Sequence, residues 1–194
     1  MKVIASILLT AFLALAPTGL AAQQTRGDGG PGDVIHAGLT FPTSLLDLKR
    51  ISVRDYEEPG LGFSIGYQSP TITATVFVYD RRIRNIPAGI DSPEVRAEFD
   101  RAYAELERAV RQGTHPSINR LELRERGELR TTPIKFRFAT VDLFGSGNAK
   151  RSFLFVTGFH GAFLKARITA LNAGGDAEAK NFIKALGEQL SSSR

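Results

Sequence analysis

A serine set between two glycines is the first feature of the sequence that could carry out a reaction. Gly62, Ser64 and Gly66 fit the G-x-S-x-G pattern, which in α/β-hydrolases presents a nucleophilic serine on a strained turn. Asp142 and His160 follow in the chain order of a hydrolase triad. That turn needs a helix after the serine, whereas Ser64 lies in an alternating run typical of a strand. A serine hydrolase is therefore an alternative function, and we interpret the small residues as room for helix 93–112 to approach the sheet.

Other patterns for catalysis or ligand binding are incomplete. The chain has no cysteine, which excludes a thiol nucleophile and cysteine-ligated metal sites. His36, His115 and His160 lack the spacing of a metal site or a catalytic pair. The run 145–150 lacks the spacing of a phosphate-binding loop, and 151–156 matches the aromatic strand of an RNA-binding domain only in part. We therefore predict no enzyme activity, no cofactor, no metal and no nucleic-acid partner.

Basic side chains are concentrated in the second half of the chain. Residues 115–171 contain ten Lys or Arg and four Asp or Glu, a formal charge of +6 in a chain whose net charge is +5. Lys135 and Arg137 alternate with apolar residues, as do Lys165 and Arg167, so a strand would place each pair opposite its apolar neighbours. We expect these four residues to form a face for an anionic partner; a solvated face without a partner is the alternative.

Seven phenylalanines in the same half of the chain could line an apolar cavity. They are Phe136, Phe138, Phe144, Phe153, Phe155, Phe159 and Phe163. Large aromatic side chains most often form the core between a sheet and its helices, which is the interpretation that we favour. A carrier for a small apolar or lipidic ligand is a further alternative function.

Two segments have the period of an amphipathic helix. Ser92 and Pro93 supply a cap and a first helical residue, and apolar residues then recur at helical spacing until Gly113 ends the pattern. Asp176 can cap a second helix, in which apolar residues between Ala179 and Leu190 form one stripe. Each helix is expected to pack on a sheet through its apolar stripe.

The remaining segments have the two-residue period of strands. The pattern predicts a hairpin over 61–79, four strands at 118–126, 132–144, 151–159 and 162–171, and one more around 51–53. The four later strands are joined by short turns, which make neighbouring strands antiparallel. The sequence therefore predicts an α+β domain with the order hairpin, helix, four-strand meander and helix. Its antiparallel sheet of about six strands is covered by the two amphipathic helices.

The first 22 residues have the pattern of a signal peptide. Lys2 precedes an apolar run to Ala16, after which a Pro-Thr-Gly break leads to small residues suited to cleavage after Ala21 or Ala22. No cysteine follows to carry a lipid anchor, so we expect a periplasmic or secreted protein. Residues 23–38 are predicted to be a flexible glycine-rich tether, 39–190 a single domain and 191–194 a tail.

Three runs of residues lie on strands in the predicted order of elements. Phe63-Ser64-Ile65-Gly66-Tyr67 leads into Thr75-Val76-Phe77-Val78-Tyr79-Asp80, and Phe163-Leu164-Lys165-Ala166-Arg167 forms a late strand. This arrangement resembles small exported bacterial proteins of uncharacterised function. More distantly, the layout of residues 41–190 is similar to the PsbP-type sandwich of the photosystem II extrinsic subunits. The resemblance implies a non-catalytic accessory or binding domain that works beside a membrane, and it assigns no site residue.

The sequence as a whole predicts a binding or accessory module of the bacterial envelope. Its expected partner is an envelope protein or an anionic envelope component, held through Lys135, Arg137, Lys165 and Arg167. Peripheral contact with a membrane is compatible with the same basic face. The oligomeric state is left open.

Overall fold

The computed structural model of the protein describes residues 23–25, 32–36, 38–114, 117–171 and 175–192. The segment predicted to be a signal peptide and His115 lie outside these ranges. Within them, two helices accompany eleven strands: β1 (Gln23–Thr25), β2 (Val34–His36), β3 (Leu39–Phe41), β4 (Ser44–Leu45), β5 (Leu48–Tyr56), β6 (Phe63–Gln68), β7 (Ile72–Tyr79), α1 (Pro93–Arg111), β8 (Ile118–Leu129), β9 (Phe136–Gly145), β10 (Gly147–Phe159), β11 (Ala162–Ala170) and α2 (Gly175–Ser192).

Nine of the described strands form one antiparallel sheet. Its order is β1-β5-β6-β7-β11-β10-β9-β8, with β4 paired to the start of β5, while β2 and β3 form a separate two-stranded sheet. The α+β class and the order of hairpin, helix, meander and helix are confirmed. The predicted number of about six strands is too low. Strands β1 and β4 are only three and two residues long, too short to show a period.

The two helices pack on opposite faces of the sheet. Side chains alternate along a strand, so Phe153 and Phe155 of β10 belong to the core beneath α2, whereas Leu154 and Val156 lie beneath α1. The core on the α2 side is the larger one and also includes buried side chains of β3 and β4. On the other face, α1 packs over β8, β9 and β10. The prediction that each helix packs on the sheet is confirmed.

Helix α1 begins at the residues that the sequence indicates. Ser92 Oγ accepts a hydrogen bond from the Val95 N–H at 3.2 Å, and Pro93 lies in the first turn, where its missing N–H leaves no bond unmade. Val95 and Phe99 begin the buried stripe. Glu98 lies in the same stripe and is only 1% exposed, a position that a carboxylate rarely occupies without partners.

The segment between β7 and α1 crosses the ends of β11 and β10. Ile86 forms a bridge with Gly161, and Gly89 exchanges backbone hydrogen bonds with Gly158 at 2.8 and 2.9 Å. A Cβ on Gly158 would lie 1.9 Å from the Pro87 carbonyl oxygen, so a side chain there would force the crossing segment away. This crossing carries the chain past β7 and β11 and sets α1 over β10, β9 and β8.

Replacing Gly158 by alanine should destabilise the fold, because the new methyl group would collide with the Pro87 carbonyl. We expect a loss of about 1–3 kcal/mol in the free energy of unfolding, measured by urea denaturation. Gly187→Ala in α2 is the matched control. Its Cβ would have no neighbour closer than 3.5 Å, and alanine should stabilise the helix by roughly 0.5–1 kcal/mol. Equal effects of the two substitutions would contradict the steric role of Gly158.

Arg50 of β5 joins the N-terminal part of the chain to the domain. Its guanidinium donates hydrogen bonds to the carbonyl oxygens of Phe41 (2.7 Å) and Gly32 (2.6 Å). Val34 pairs with Phe41 in the β2–β3 hairpin, and β1 pairs with β5. Parts of segment 23–38, predicted to be a flexible tether, therefore form strands, because a buried cation and neighbouring strands supply hydrogen-bond partners for their backbone.

Asp142 of β9 joins three strands and α2 in one network of ion pairs. Its carboxylate accepts hydrogen bonds from Arg124 of β8 at 2.7 Å and from Arg151 of β10 at 2.9 Å. Arg151 also donates to Asp176 in the first turn of α2 at 2.7 Å. Burial by itself would raise the pKa of Asp142, but the hydrogen bonds from both arginines outweigh burial and lower that pKa below its usual value.

Because the pKa of Asp142 is lowered in the folded protein, the free energy of unfolding should decrease in acid. Because the pKa of its carboxyl is lower in the folded protein than in the unfolded chain, its contribution is complete above the unfolded value of about 4 and is lost as the pH falls further. The difference in unfolding free energy between the native protein and Asp142→Asn should therefore shrink as the pH is lowered from about 5 to about 2.5. Urea denaturation at a series of pH values measures this difference.

Glu122→Gln is the control for this experiment. Glu122 forms an exposed ion pair with Arg120 on the outer strand β8, and an exposed pair contributes little to stability. The Glu122→Gln variant should stay close to the native protein at every pH. A difference between native protein and Asp142→Asn that does not change with pH would contradict the role given to this carboxylate.

Candidate binding site

Much of the α1 side of the sheet has no helix over it. Helix α1 packs mainly over β8, β9 and β10, and it reaches the ends of β7 and β11, where Phe77, Tyr79 and Phe163 join its core. No described helix or strand packs extensively on the rest of this side of β5, β6, β7 and β11. The side chains that these four strands direct to the uncovered side form what we call the open face. Its members are Lys49, Ser52, Arg54, Ser64, Gly66, Gln68, Thr73, Thr75, Lys165 and Arg167.

The strand register arranges the open face in rows. One row runs across the four strands through Arg54, Ser64, Phe77 and Lys165, and the next runs through Ser52, Gly66, Thr75 and Arg167. Neighbouring strands are about 4.8 Å apart, so Arg54 and Lys165 lie on the two sides of a strip about 14 Å wide. Side chains from both sides can therefore reach a molecule placed over the middle of the strip.

Glycine keeps the floor of this strip low at its centre. A Cβ on Gly66 would lie 2.4 Å from Ser52 Oγ, so no side chain fits there without a shift. Ser64 Oγ lies 3.1 Å from the Tyr56 hydroxyl, with which it shares a hydrogen bond. Ser64 is only 3% exposed, so the hydroxyl groups that reach the surface of the strip are those of the partly buried Ser52, Thr73 and Thr75.

Every charged strand residue of the open face is basic. Lys49 is exposed, and Arg54, Lys165 and Arg167 are partly buried. Nε of Arg54 is shielded from solvent and has no hydrogen-bond partner in the described part of the chain. Clustered cations beside hydroxyl groups are suited to bind the oxygens of a carboxylate or phosphate group.

A network of carboxylates borders the open face on the side of α1. Glu98 Oε1 accepts a hydrogen bond from the Tyr79 hydroxyl at 2.7 Å, and Glu98 Oε2 pairs with Arg81 Nε at 2.7 Å and with Arg101 at 3.4 Å. Glu105, two turns later in α1, pairs with Arg81 Nη2 at 3.1 Å. Burial, and then the charge of Glu98, raise the pKa of Tyr79 well above its usual value, so its hydroxyl remains a donor.

The Lys165 amine lies over two aromatic rings. Nζ lies 4.7 Å from the centroid of the Phe77 ring and 5.0 Å from that of the Tyr79 ring, which are cation–π distances. No residue in the described ranges forms a salt bridge with this amine. Lys165 is therefore held by ring faces at the border between the open face and the carboxylate network.

Burial dominates the electrostatics of the two β11 cations. It lowers the pKa of Lys165 to about 8. The carboxylates of Glu105 and Glu98 act to raise that pKa, and the guanidinium groups of Arg167 and Arg81 act to lower it. Burial also lowers the pKa of Arg167, against the charge of Glu105. An anionic partner would stabilise the charged form of Lys165, because its charge would replace the water that the amine has lost.

The structure separates the four basic residues that the sequence predicts as one anionic-partner face. Lys165 and Arg167 lie together on the open face. Arg137 points to the same side of the sheet two strands away, where it pairs with Glu128 at 3.1 Å. Lys135 lies just before β9 and is exposed. The alternation predicted the side of the sheet correctly for Arg137, Lys165 and Arg167. Only the order of the strands shows that Lys165 and Arg167 lie on the open face and that Arg137 does not.

Sequence patterns did not point to several residues that form this site. Arg54 and Lys49 belong to β5, whose two-residue period is interrupted by an irregularity between Arg50 and Ser52. The sequence therefore indicated only a short strand there. Glu98 did leave a signal, because it is a carboxylate within the apolar stripe of a predicted helix.

The residues of the alternative hydrolase triad do not meet. Ser64 lies within β6 on the open face, and Asp142 lies four strands away on the opposite side of the sheet. His160 occupies the turn between β10 and β11 and stacks on Phe159 with ring centroids 4.3 Å apart. The expectation that helix 93–112 packs on the small residues of β6 is wrong, because the crossing segment places α1 over β8, β9 and β10 instead.

The phenylalanines proposed as core or cavity lining lie on both sides of the sheet. Phe136, Phe153 and Phe155 are at most 2% exposed and pack in the core beneath α2. Phe163 is fully buried on the other side, in the core beneath α1, and Phe144 is partly exposed near the end of β9. Their distribution favours the core interpretation over a lining for one cavity.

Comparison with known proteins assigns no family. No protein-family model matches the chain, and a search of curated proteins finds no significant match. Among the described residues, neither helix is sufficiently long and apolar to span a membrane. The same ranges contain no group of three or more His, Asp or Glu side chains that could hold a metal ion. The resemblance to exported proteins and to the PsbP-type sandwich stays a prediction.

Replacing Glu98 by alanine should destabilise the fold strongly, because Tyr79 and Arg81 would lose their shared buried acceptor. We expect a loss of about 3–5 kcal/mol in the free energy of unfolding. Arg101→Ala is the control on the same helix, since Arg101 is half exposed and its removal should cost less than about 1 kcal/mol. Urea denaturation measures both variants. Similar losses for the two would mean that Glu98 does not hold the network together.

Proposed function

We propose that the protein is an exported, non-catalytic binding module that takes an anionic component of the bacterial envelope on its open face. The charge of that face is the observation that carries the proposal. Lys49, Arg54, Lys165 and Arg167 are all of its charged strand residues, and all are basic. The signal-like pattern of the first 22 residues supports export.

The polarity of the open face favours an envelope polymer over a folded protein partner. Protein interfaces are usually centred on aromatic or aliphatic side chains that enter pockets on the partner. Here the two large aromatic residues beside the face, Phe77 and Tyr79, are at most 7% exposed and lie under the Lys165 amine. What remains for contact is mainly cations and hydroxyl groups, with Ile51 and Tyr56 as the apolar and aromatic side chains that are not buried. The cations and hydroxyl groups match the carboxylate, phosphate and hydroxyl groups of an acidic polymer.

The spacing of the cations supports recognition of repeated anionic groups. Arg54 and Lys165 lie in one row and Arg167 in the next, and successive rows are separated by two residues, or about 6.7 Å along a strand. One isolated anion would reach only part of this arrangement. A chain that carries an acidic group every few ångströms could contact several of the cations together.

A binding role is also supported by the state of the polar groups near the strip. Ser64 is hydrogen-bonded to Tyr56 and lies far from Asp142 and His160, so it has no base to activate it. Glu98 is already shared between Tyr79 and arginine partners. Recognition of charge needs no activated nucleophile, whereas hydrolysis through Ser64 would.

Neutralising the basic residues should weaken binding of an acidic polysaccharide. The triple variant Arg54→Gln/Lys165→Gln/Arg167→Gln should bind fluorescently labelled polygalacturonate at least about 10-fold more weakly than the native protein, since the polymer's carboxylates lose three opposite charges. Fluorescence anisotropy measures the affinity. Raising the salt concentration from about 0.05 M to about 0.2 M should weaken native binding more than residual binding by the variant.

The control is Lys180→Gln/Lys184→Gln, which removes two exposed cations from α2 on the opposite side of the sheet. This variant should keep the native affinity, and circular dichroism should show the native fold for all proteins compared. An equal loss of affinity in both variants would mean that net charge alone determines binding, which would contradict the proposal. Binding of polyglutamate but not of polygalacturonate through the same three residues would identify an acidic protein as the partner instead.

A further inference from the structure

The Lys165 amine differs from the other cations of the open face in what surrounds it. Its side chain is partly buried, and its Nζ lies over the rings of Phe77 and Tyr79. Within the described ranges it has no carboxylate partner at salt-bridge distance. A lysine in such surroundings has lost part of its hydration without gaining a counter-charge.

The charged neighbours of Lys165 come from three elements. Helix α1 contributes Glu98 and Glu105, the end of β7 leads to Arg81, and β11 carries Arg167. Both carboxylates are already paired with Arg81, at 2.7 and 3.1 Å. Each carboxylate still acts on the pKa of Lys165 more strongly than either Arg167 or Arg81 does, so burial is what makes the neutral amine accessible.

A lysine that is desolvated and close to other cations loses its proton more readily, and the neutral amine is a good nucleophile for carbonyl carbon. We propose that Lys165 forms an imine with a small aldehyde or ketone that carries a carboxylate or phosphate group, and that Arg167 holds that anionic group. The proposal concerns the same open face as the binding function but stands on a different observation, the unpaired amine. It does not require that the face also bind a polymer.

The strand geometry places the two groups at a suitable separation. Lys165 and Arg167 are two residues apart on β11, so their Cα atoms are about 6.7 Å apart and their side chains leave the same side of the sheet. Thr75 lies beside Arg167 in its row and adds a hydroxyl group near the anion position. A compound whose carbonyl carbon and anionic group are a few bonds apart can therefore reach both side chains.

The reaction needs no oxidant or reductant. The lone pair of the neutral Nζ attacks the carbonyl carbon, the carbonyl π electrons move to oxygen, and one of the two Nζ protons is transferred through water to that oxygen to give a neutral carbinolamine. The remaining Nζ proton is then transferred through water to the hydroxyl group, which leaves as the one water molecule released, while the nitrogen lone pair forms the C=N bond. The lowered pKa of Lys165, about 8, agrees with this role because a substantial fraction of the amine is neutral near pH 7.5.

Reductive trapping with an anionic aldehyde tests the proposal. The purified protein is incubated at about pH 7.5 with pyridoxal 5′-phosphate, reduced with borohydride, and its modified lysines are located by peptide mass mapping. Lys165 should be labelled at least about 10-fold more than the exposed Lys180 and Lys184, since ordinary lysines with a pKa near 10.4 contain about a hundredfold less neutral amine at this pH. Propanal, an aldehyde without a charge, is the comparison reagent.

Arg167→Gln separates anion recognition from the reactivity of the amine. In this variant the preference for Lys165 should fall at least about 5-fold with pyridoxal 5′-phosphate and stay unchanged with propanal. Thr75→Val, which removes the hydroxyl group beside Arg167, serves as a second variant if Arg167→Gln does not fold, with a smaller effect in the same direction expected. Labelling of Lys165 no stronger than that of Lys180 would overturn the proposal. Equal labelling by both aldehydes, independent of Arg167, would overturn the anionic substrate class. Both readouts are separate from polygalacturonate binding, so the two proposals can fail independently.

Discussion

The placement of α1 over only half of the sheet is the constraint on which the rest of this structure depends. The segment after β7 does not turn back directly onto β7 and β11. It pairs Gly89 with Gly158 and Ile86 with Gly161, and the close approach of the Pro87 carbonyl to Gly158 leaves no room for a side chain. Helix α1 therefore begins beyond β11. Away from the residues that α1 reaches, β5, β6, β7 and β11 carry mainly polar side chains on that side, among them Arg54, Thr75 and Arg167.

Three buried or partly buried charged residues, Glu98, Arg81 and Lys165, lie at the border between the part of the sheet that α1 covers and the open face. Glu98 lies on the buried stripe of α1 and is stabilised there by a tyrosine hydroxyl and by arginine. A buried carboxylate of this kind adds little stability by itself but cannot be removed without leaving its partners unsatisfied. Because Arg81 is engaged by both Glu98 and Glu105, the amine of Lys165 lies beside the network without joining it. The same border thus contains a structural ion network and, next to it, a cation that lies over the rings of Phe77 and Tyr79.

Periodicity predicted most of the fold, and the limits of periodicity explain the errors. Both helices, the hairpin strands β6 and β7, and the meander strands β8 to β11 follow from local periods, and the structure contains all of them. Strand β5 was indicated only around 51–53 because its irregularity between Arg50 and Ser52 breaks the alternation, and Lys49 and Arg54 were missed with it. The G-x-S-x-G pattern shows the opposite error. A local match suggested a triad, but Ser64 and Asp142 lie four strands apart on opposite sides of the sheet.

The sequence by itself determined the α+β class, the order of the elements, and the fact that Lys165 and Arg167 lie on the same side of β11. These features follow from local periods of 3.6 and 2 residues. Only the tertiary structure decided that β7 pairs with β11 and that α1 packs mainly over β8, β9 and β10 and reaches only the ends of β7 and β11. This arrangement of strands brings Arg54, Lys165 and Arg167 onto one surface. It leaves Arg137 on β9, two strands from Lys165, where Arg137 pairs with Glu128. Strand order and helix position depend on contacts between residues far apart in the chain, and no local pattern records such contacts.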